Sequence, residues 1–277
     1  MLAEHRSKHP EAYSTMQQPV YLNSQNQLVV ATLHYPDSSE SPFPAVLLCH
    51  GFSGHRIETR RLFVRFSRYL SEQGIASLRF DYRGSGESAG DFQNFTVRDY
   101  IRDGHAALRA LTHDVRINAQ RIGILGFSLG GCVAAYLASE HPGTKALALW
   151  APVAEPLETF RRNVEHFPDL TQYKDDDYLE HNGIPVGVRF LKQLGELRPV
   201  EKLAATCIPV LLCHGAADET VLPESTELFY AALAKESRDV EKLYLRDAAH
   251  NFTSLTTDLE LFQKTAQWFV KHLCRGH

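Results

Sequence analysis

The chain has 277 residues, 22% charged and 44% hydrophobic, with a formal net charge of −4. That length fits one α/β domain with an insertion and buries most of its apolar surface without disulfide or metal staples. The charge balance offers no basic footprint for nucleic acid, and no run approaches the roughly 18–20 apolar residues of a membrane span.

Residues 1–18 are polar and read as a loose arm. Residues 20–22 and 28–35 read as an antiparallel hairpin turning at 23–27. From there strands alternate with helices. The strands are expected at 45–49, 75–80, 121–125, 145–150, 208–213 and 240–246, the helices at 59–72, 96–111, 129–140, 224–235 and 258–273. Thr96 ahead of Arg98 and Asp99 suits a helix start, and Pro223 before Glu224 suits a first turn. Such alternation implies a mostly parallel sheet with helices on both faces. Between Trp150 and Leu203 it breaks: the stretch carries Phe160, Phe167, Tyr173, Tyr178, Phe190 and the acidic run Asp175, Asp176, Asp177. It is too long for an ordinary connection of about 2–6 residues. The organisation expected is an arm over 1–18, an α/β core over 19–152 and 204–277, and an insertion over 153–203.

The chemistry begins at Gly126-Phe127-Ser128-Leu129-Gly130, a G-x-S-x-G between a short apolar strand and a helix-forming stretch. A serine on so sharp a turn needs small neighbours, which Gly126 and Gly130 provide. The turn exposes the Ser128 hydroxyl and aims the Leu129 backbone N–H, at the helix start, toward a developing oxyanion. A serine hydroxyl needs an adjacent base, and the base an orienting carboxylate. Both follow expected strands. Asp218 lies just past 208–213, in His214-Gly215-Ala216-Ala217-Asp218, with Glu219 as the competing carboxylate. His250, one of 14 histidines, follows 240–246 in a loop with small neighbours. Ser128, Asp218 and His250 are therefore the expected catalytic residues.

Other motifs carry less. Gly84-Ser85-Gly86 lacks the lysine and spacing of a phosphate loop and reads as structural, with Asp81 and Arg83 hydrogen-bonded nearby. His50 and His55 have no accompanying ligand cluster, so no metal is expected, and His50 reads as shaping its loop. The five cysteines (49, 132, 207, 213, 274) show no pairing pattern, and the first ten residues have no apolar signal core; together they suggest a cytoplasmic protein with reduced thiols.

These pieces resemble the α/β-hydrolase superfamily from about Val20 onward. The segments at 49–55, 79–88 and 90–92 are similar to those of bacterial cinnamoyl and feruloyl esterases and of serine-aminopeptidase-like hydrolases, monoacylglycerol lipases included. Feruloyl esterases often carry Gln after the nucleophile, where this chain has Leu129. The resemblance implies an α/β-hydrolase fold and a second oxyanion donor from the backbone N–H of Phe52. It also implies that 153–203 is a cap over the serine, with Tyr173, Asp176 and Tyr178 as candidate polar contacts. The expected activity is hydrolysis of a small-molecule carboxylic ester through an acyl-enzyme on Ser128, with no cofactor. Alternatives are a thioesterase or acyltransferase, an aminopeptidase-like amidase, a monoacylglycerol lipase, or, outside enzymes, a ligand-binding sensor with a vestigial triad. A homodimer through an edge strand or the cap is left open.

Overall fold

The computed structural model describes residues 15–38, 40–234 and 238–274. Its elements run β1 (Thr15–Ser24), β2 (Gln27–Pro36), β3 (Phe43–Cys49), α1 (Leu62–Glu72), β4 (Ala76–Phe80), α2 (Val97–His113), β5 (Ile117–Phe127), α3 (Leu129–Glu140) and β6 (Thr144–Trp150). They continue with α4 (Pro156–Arg162), β7 (Tyr178–His181), β8 (Ile184–Gly187), α5 (Val188–Leu194), α6 (Pro199–Ala204), β9 (Val210–Gly215), α7 (Glu224–Leu233), β10 (Val240–Leu245) and α8 (Leu255–Phe269). Eight strands form one sheet in the order β1-β2-β4-β3-β5-β6-β9-β10. β1 pairs antiparallel with β2, and β2 with β4; every other pairing is parallel. This is the mostly parallel α/β architecture the alternation predicts. Among the described residues no helix is long and apolar enough to cross a membrane.

The central strands are apolar along nearly their whole length because both faces are covered. The pleat sends alternate residues to opposite sides. Leu47, Leu78, Ile124, Leu147 and Leu212 pack with α2, α3 and Phe229 of α7, while Val46, Leu48, Leu125, Ala148, Trp150 and Leu211 meet Phe63, Phe66 and Leu70 of α1 and Leu261, Phe262 and Phe269 of α8. Register puts Leu47 beside both Leu78 and Ile124, and Ile124 beside Leu147, so one face is a continuous leucine-isoleucine row.

Trp150 anchors the second layer. It is fully buried, stacks on Phe262, meets Phe66 edge-on at 4.9 Å, and donates its indole N–H to Thr265 Oγ1 at 3.0 Å. Trp150→Ala removes that volume and leaves the Thr265 hydroxyl without its donor. The expected cost is about 3–5 kcal/mol, to be read as a lower denaturant midpoint at unchanged slope; a loss under about 1 kcal/mol would mean the site collapses around the gap.

Several boundaries differ from the sequence reading. The hairpin turn is two residues, Gln25 and Asn26, both at positive φ (51° and 62°), the twist-matched geometry for tight hairpins. Its strands are correspondingly longer. β1 begins at Thr15, so the last four residues read as arm belong to a strand, and 1–14 lie outside the described residues. α8 starts at Leu255 because Ser254 caps it, accepting from Thr257 N–H at 3.0 Å. α7 closes at Leu233, and position 235, the expected helix end, lies outside the described residues. Residues 153–203 hold α4, the β7–β8 hairpin, α5 and most of α6. The hairpin turns on Asn182 and Gly183, both at positive φ. Phe190, Leu191 and Leu194 of α5 are buried in the first hydrophobic layer, so this segment packs onto the core.

Candidate active site

Four loops follow the C-terminal ends of β3, β5, β9 and β10, the edge of a parallel sheet where ligands bind. They carry Phe52, Ser128, Asp218 and His250.

Ser128 occupies the corner between β5 and α3 at φ 56°, ψ −122°. Its N–H donates to Trp150 O at 2.9 Å, and its carbonyl accepts from Gly131 N–H at 2.9 Å and Val153 N–H at 3.2 Å. The glycines on either side are sterically required. A Cβ on Gly126 would lie 2.3 Å from Gly130 O, and one on Gly130 would lie 2.2 Å from Cys49 O.

His250 joins the other two side chains. Its Nδ1 lies 2.7 Å from Asp218 Oδ2 and its Nε2 lies 3.0 Å from Ser128 Oγ. A carboxylate only accepts, so Nδ1 carries the proton and Nε2 is free to accept from the serine hydroxyl. The ring stacks on Phe127 at 5.0 Å. Asp218 is buried, and its Oδ1 accepts from the N–H groups of Thr220 and Val221, each at 2.9 Å. Burial pushes its carboxyl pKa up. The hydrogen bonds from His214 and His250, the charge on His250 and the Val221 N–H outweigh that and hold it well below the usual carboxylate range. Glu219, the competing carboxylate, is exposed.

His214 is a contributor the sequence reading passed over. It is fully buried, with Nε2 2.8 Å from Val221 O and 3.3 Å from Asp218 Oδ2, and Nδ1 2.7 Å from Thr226 Oγ1. The Val221 carbonyl only accepts, so Nε2 carries the hydrogen that faces Asp218. A histidine four residues before a loop aspartate was the available signal.

On the opposite side of Ser128 lies the loop after β3. A Cβ on Gly51 would sit 3.3 Å from Ser128 Cβ, so Phe52 follows a residue in contact with the serine. Leu129 opens α3, where N–H groups have no intrahelical partner. His50 shapes the loop, as expected: its Nδ1 donates to Gly51 O at 2.9 Å and its Nε2 accepts from Tyr82 N–H at 3.2 Å. Burial pushes its pKa down to about 4, which keeps the ring neutral. The 84–86 loop is structural too. Arg83 pairs with buried Asp103 at 2.7 Å, and Arg56 pairs with buried Asp81. Among the described residues no three His, Cys, Asp or Glu side chains are grouped to hold a metal ion.

A cavity of about 300 Å³ opens onto Ser128. Its walls include Phe52, Leu129 and Val221 from the core and Val153, Phe160, Phe190 and Leu194 from the 153–203 segment. Phe52 meets Phe160 edge-on at 5.4 Å and Phe190 at 5.7 Å. Polar groups come from Thr159, Asn163, His181, Asn182 and Thr220; among the described residues no Asp, Glu, Lys or Arg lines it. Tyr173, Asp176 and Tyr178 are not in this wall, and Tyr178 is 57% exposed. They sit at or before the start of the hairpin, whereas the end of β7 delivers His181 and the turn delivers Asn182 to the cavity.

Comparison with known proteins fits this geometry. A model of the prolyl oligopeptidase family matches residues 63–275, well over half of the chain. The chain is 26% identical over 271 residues to a 31.7 kDa protein of the traX-finO intergenic region of Escherichia coli, covering 83% of this chain and 91% of that one. It is 23% identical over 273 residues to a monoacylglycerol lipase of Mycolicibacterium smegmatis, covering 88% and 94%. Among solved structures it is similar to Est1E from Butyrivibrio proteoclasticus, determined with bound ferulic acid, at a TM-score of 0.81 and 20% identity, covering 92% of this chain and all of that one. At that identity the likeness is one of fold, and the fold is that of the α/β-hydrolases.

Proposed function

We propose that this chain, which belongs to the prolyl oligopeptidase family, is a serine hydrolase that cleaves small carboxylic esters with an apolar or aryl acyl group. The observation that carries the reading is the hydrogen-bonded line from Ser128 through His250 to Asp218, opening onto an uncharged, aromatic-walled cavity. In the reaction, Ser128 Oγ attacks the ester carbonyl while His250 Nε2 takes its proton. The oxyanion is received by the N–H groups of Phe52 and Leu129. Collapse expels the alcohol, protonated by His250, and leaves an acyl-serine. Water, deprotonated by His250, then attacks the acyl carbon and releases the acid and the serine.

The lining favours an ester over an aminopeptidase-like substrate. An aminopeptidase-like site must hold an α-ammonium group, which calls for a carboxylate near the serine, and the lining supplies none among the described residues. The cavity lies near the lower end of the roughly 300–1,000 Å³ typical of ligand pockets, which suits a short chain or a single ring. The segment 153–203 serves as the cap in this reading, since it contributes Phe160, Phe190, His181 and Asn182 to the cavity wall.

The test is a panel of p-nitrophenyl esters from acetate to palmitate with methyl ferulate, run beside amino-acyl p-nitroanilides and acyl-CoA thioesters. Turnover is expected to peak at short acyl chains or the ferulate and to exceed anilide turnover by about 100-fold or more, a difference of roughly 2.7 kcal/mol in transition-state binding. Anilides outrunning esters would move the assignment to an amidase. Tight ligand binding with no turnover on any arm would move it to a sensor.

A further inference from the structure

Between the oxyanion loop and α1 the backbone takes an unusual path. Three of the four residues at 58–61 have positive φ: Glu58 at 59°, Arg60 at 53° and Arg61 at 59°. Glu58, with ψ 166°, lies in a region otherwise confined to glycine. Such residues persist only where their surroundings over-determine them, and they gather at functional sites.

The surroundings here are the two loops on either side of Ser128. The Glu58 side chain is buried, and its Oε1 accepts from Gly51 N–H at 2.8 Å while Oε2 accepts from Thr59 N–H at 3.2 Å. A Cβ on Gly54 would lie 2.6 Å from Oε1, so the oxyanion loop wraps directly onto this carboxylate. Gly51 is the residue before Phe52. Arg60 reaches the other way. Its Nη2 donates to Asn251 O at 2.9 Å and to Phe252 O, the carbonyls of the two residues after His250. Both Nη atoms also meet buried Asp258, at 3.2 and 3.3 Å, and Asp258 accepts from Arg65 Nη2 at 2.6 Å as well. Phe252 is itself at positive φ, 48°, with its ring fully buried against Phe127 and Trp150. One guanidinium fork thus ties the histidine loop to the start of α8.

Resting on the reading of Ser128 and His250 given above, we propose that the 58–61 segment is a clasp that positions both sides of the reacting centre: Glu58 sets the oxyanion loop through Gly51, and Arg60 sets the His250 loop through the Asn251 and Phe252 carbonyls. Neither side chain touches substrate; both are positioning residues. Burial pushes the Glu58 carboxyl pKa up, opposed by its two N–H donors and by nearby His55 and His250. The strain is the means of reaching both ways. Turning Glu58 inward and Arg60 toward α8 within three residues requires a backbone that no regular element offers.

The test measures kcat and KM on the best ester, and affinity for a boronic acid whose tetrahedral adduct on Ser128 places an oxygen in the oxyanion hole. The variants are Glu58→Gln, Glu58→Leu, Arg60→Lys, Arg60→Ala and the pair Glu58→Leu/Arg60→Lys. Glu58→Leu is expected to lower kcat by about 30- to 100-fold, somewhat less than deleting an oxyanion donor outright. KM should move less than about 3-fold, with boronate affinity falling in parallel, since a donor used only in the transition state is what is displaced. Glu58→Gln keeps an oxygen for Gly51 N–H and should recover most of the loss. Arg60→Lys should fall nearly as far as Arg60→Ala, because one ammonium cannot serve two carbonyls and a carboxylate in the geometry of the fork. The pair should be non-additive if one segment holds both loops. Variants that melt at a lower temperature yet keep wild-type kcat and boronate affinity would reduce the segment to a structural knot and overturn the proposal. Should Glu58→Leu not fold, Glu58→Ala, which also removes the acceptor for Gly51 N–H, and Arg60→Lys decide it: wild-type kcat and boronate affinity in both overturn the clasp. Turnover that survives Ser128→Ala would sink the functional reading itself, a distinguishable failure.

Discussion

Ser128→Ala is expected to lower kcat/KM on the best ester by about 10⁴-fold or more while leaving a folded protein. The substitution removes one oxygen, the atom 3.0 Å from His250 Nε2, and leaves everything that shapes the corner. The backbone bonds from Ser128 N–H to Trp150 O and from Gly131 N–H to Ser128 O do not involve the side chain. Alanine bears φ 56° no worse than serine, because the steric cost there comes from Cβ, which both possess. Stability should therefore change by less than about 1 kcal/mol. What activity remains would come from direct attack by water on an ester carbonyl polarised by the proposed donors, the N–H groups of Phe52 and Leu129. Steady-state kinetics and a urea titration on the same preparation check both halves. Full activity in a folded variant would show that another group is the nucleophile.

The parts of this molecule that were legible in its sequence are those where local chemistry has one geometric solution. Gly126-Phe127-Ser128-Leu129-Gly130 could be read because Cβ atoms at both glycines would collide with backbone oxygens. Asp218 could be read because it follows an apolar run that serves only as a strand covered on both faces, and His250 because it follows a second strand, the half-buried one at the sheet edge. The insertion was visible as a break in alternation, but its hairpin was not. Each strand has only four residues, and the Asn182-Gly183 signal sits between Tyr178–His181 and Ile184–Gly187, neither of which alternates in a way that stands out. The start of β1 was hidden because Met16-Gln17-Gln18-Pro19 is a poor strand former; pairing with β2, Met16 opposite Tyr35 and Gln18 opposite Leu33, overrides propensity there. Arg60 was illegible for a different reason. Its partners are 191 to 198 residues away, and no local pattern announces a positive φ at an arginine. Glu58 is close in sequence to Gly51, but its importance lies in burial and dihedral angle, which composition does not encode.

Asp218→Asn should cost nearly as much activity as losing the nucleophile, about 10⁴-fold in kcat, for a reason internal to the hydrogen-bond pattern. Aspartate uses Oδ1 to accept from Thr220 and Val221 N–H and Oδ2 to accept from His250 Nδ1, with His214 Nε2 3.3 Å from that same atom. Asparagine has one oxygen. With that oxygen kept on the two backbone N–H groups, its NH₂ faces His250, whose Nδ1 must then accept. The proton moves to Nε2, which points at Ser128 and can no longer take a proton from it. The same NH₂ also confronts the His214 Nε2–H, a donor against a donor, so the variant should lose stability as well. That loss has a pH signature. The Asp218 carboxyl is held below its ordinary range in the folded protein, so the unfolded chain takes up its proton first as pH falls. The carboxylate's contribution to stability is complete above the unfolded value of about 3.9 and declines as pH drops from there toward the depressed folded value. Urea titrations from pH 7 to pH 3 should show wild type and Asp218→Asn separated by a constant gap down to about pH 4 and converging below it. A gap that holds at pH 3 would mean the carboxylate is not paired as described. An Asn variant that keeps wild-type kcat would pass the orienting role to another group. Glu219 is the adjacent carboxylate, but it is exposed, and to serve His250 it would have to displace a side chain already bonded to the loop through two N–H groups.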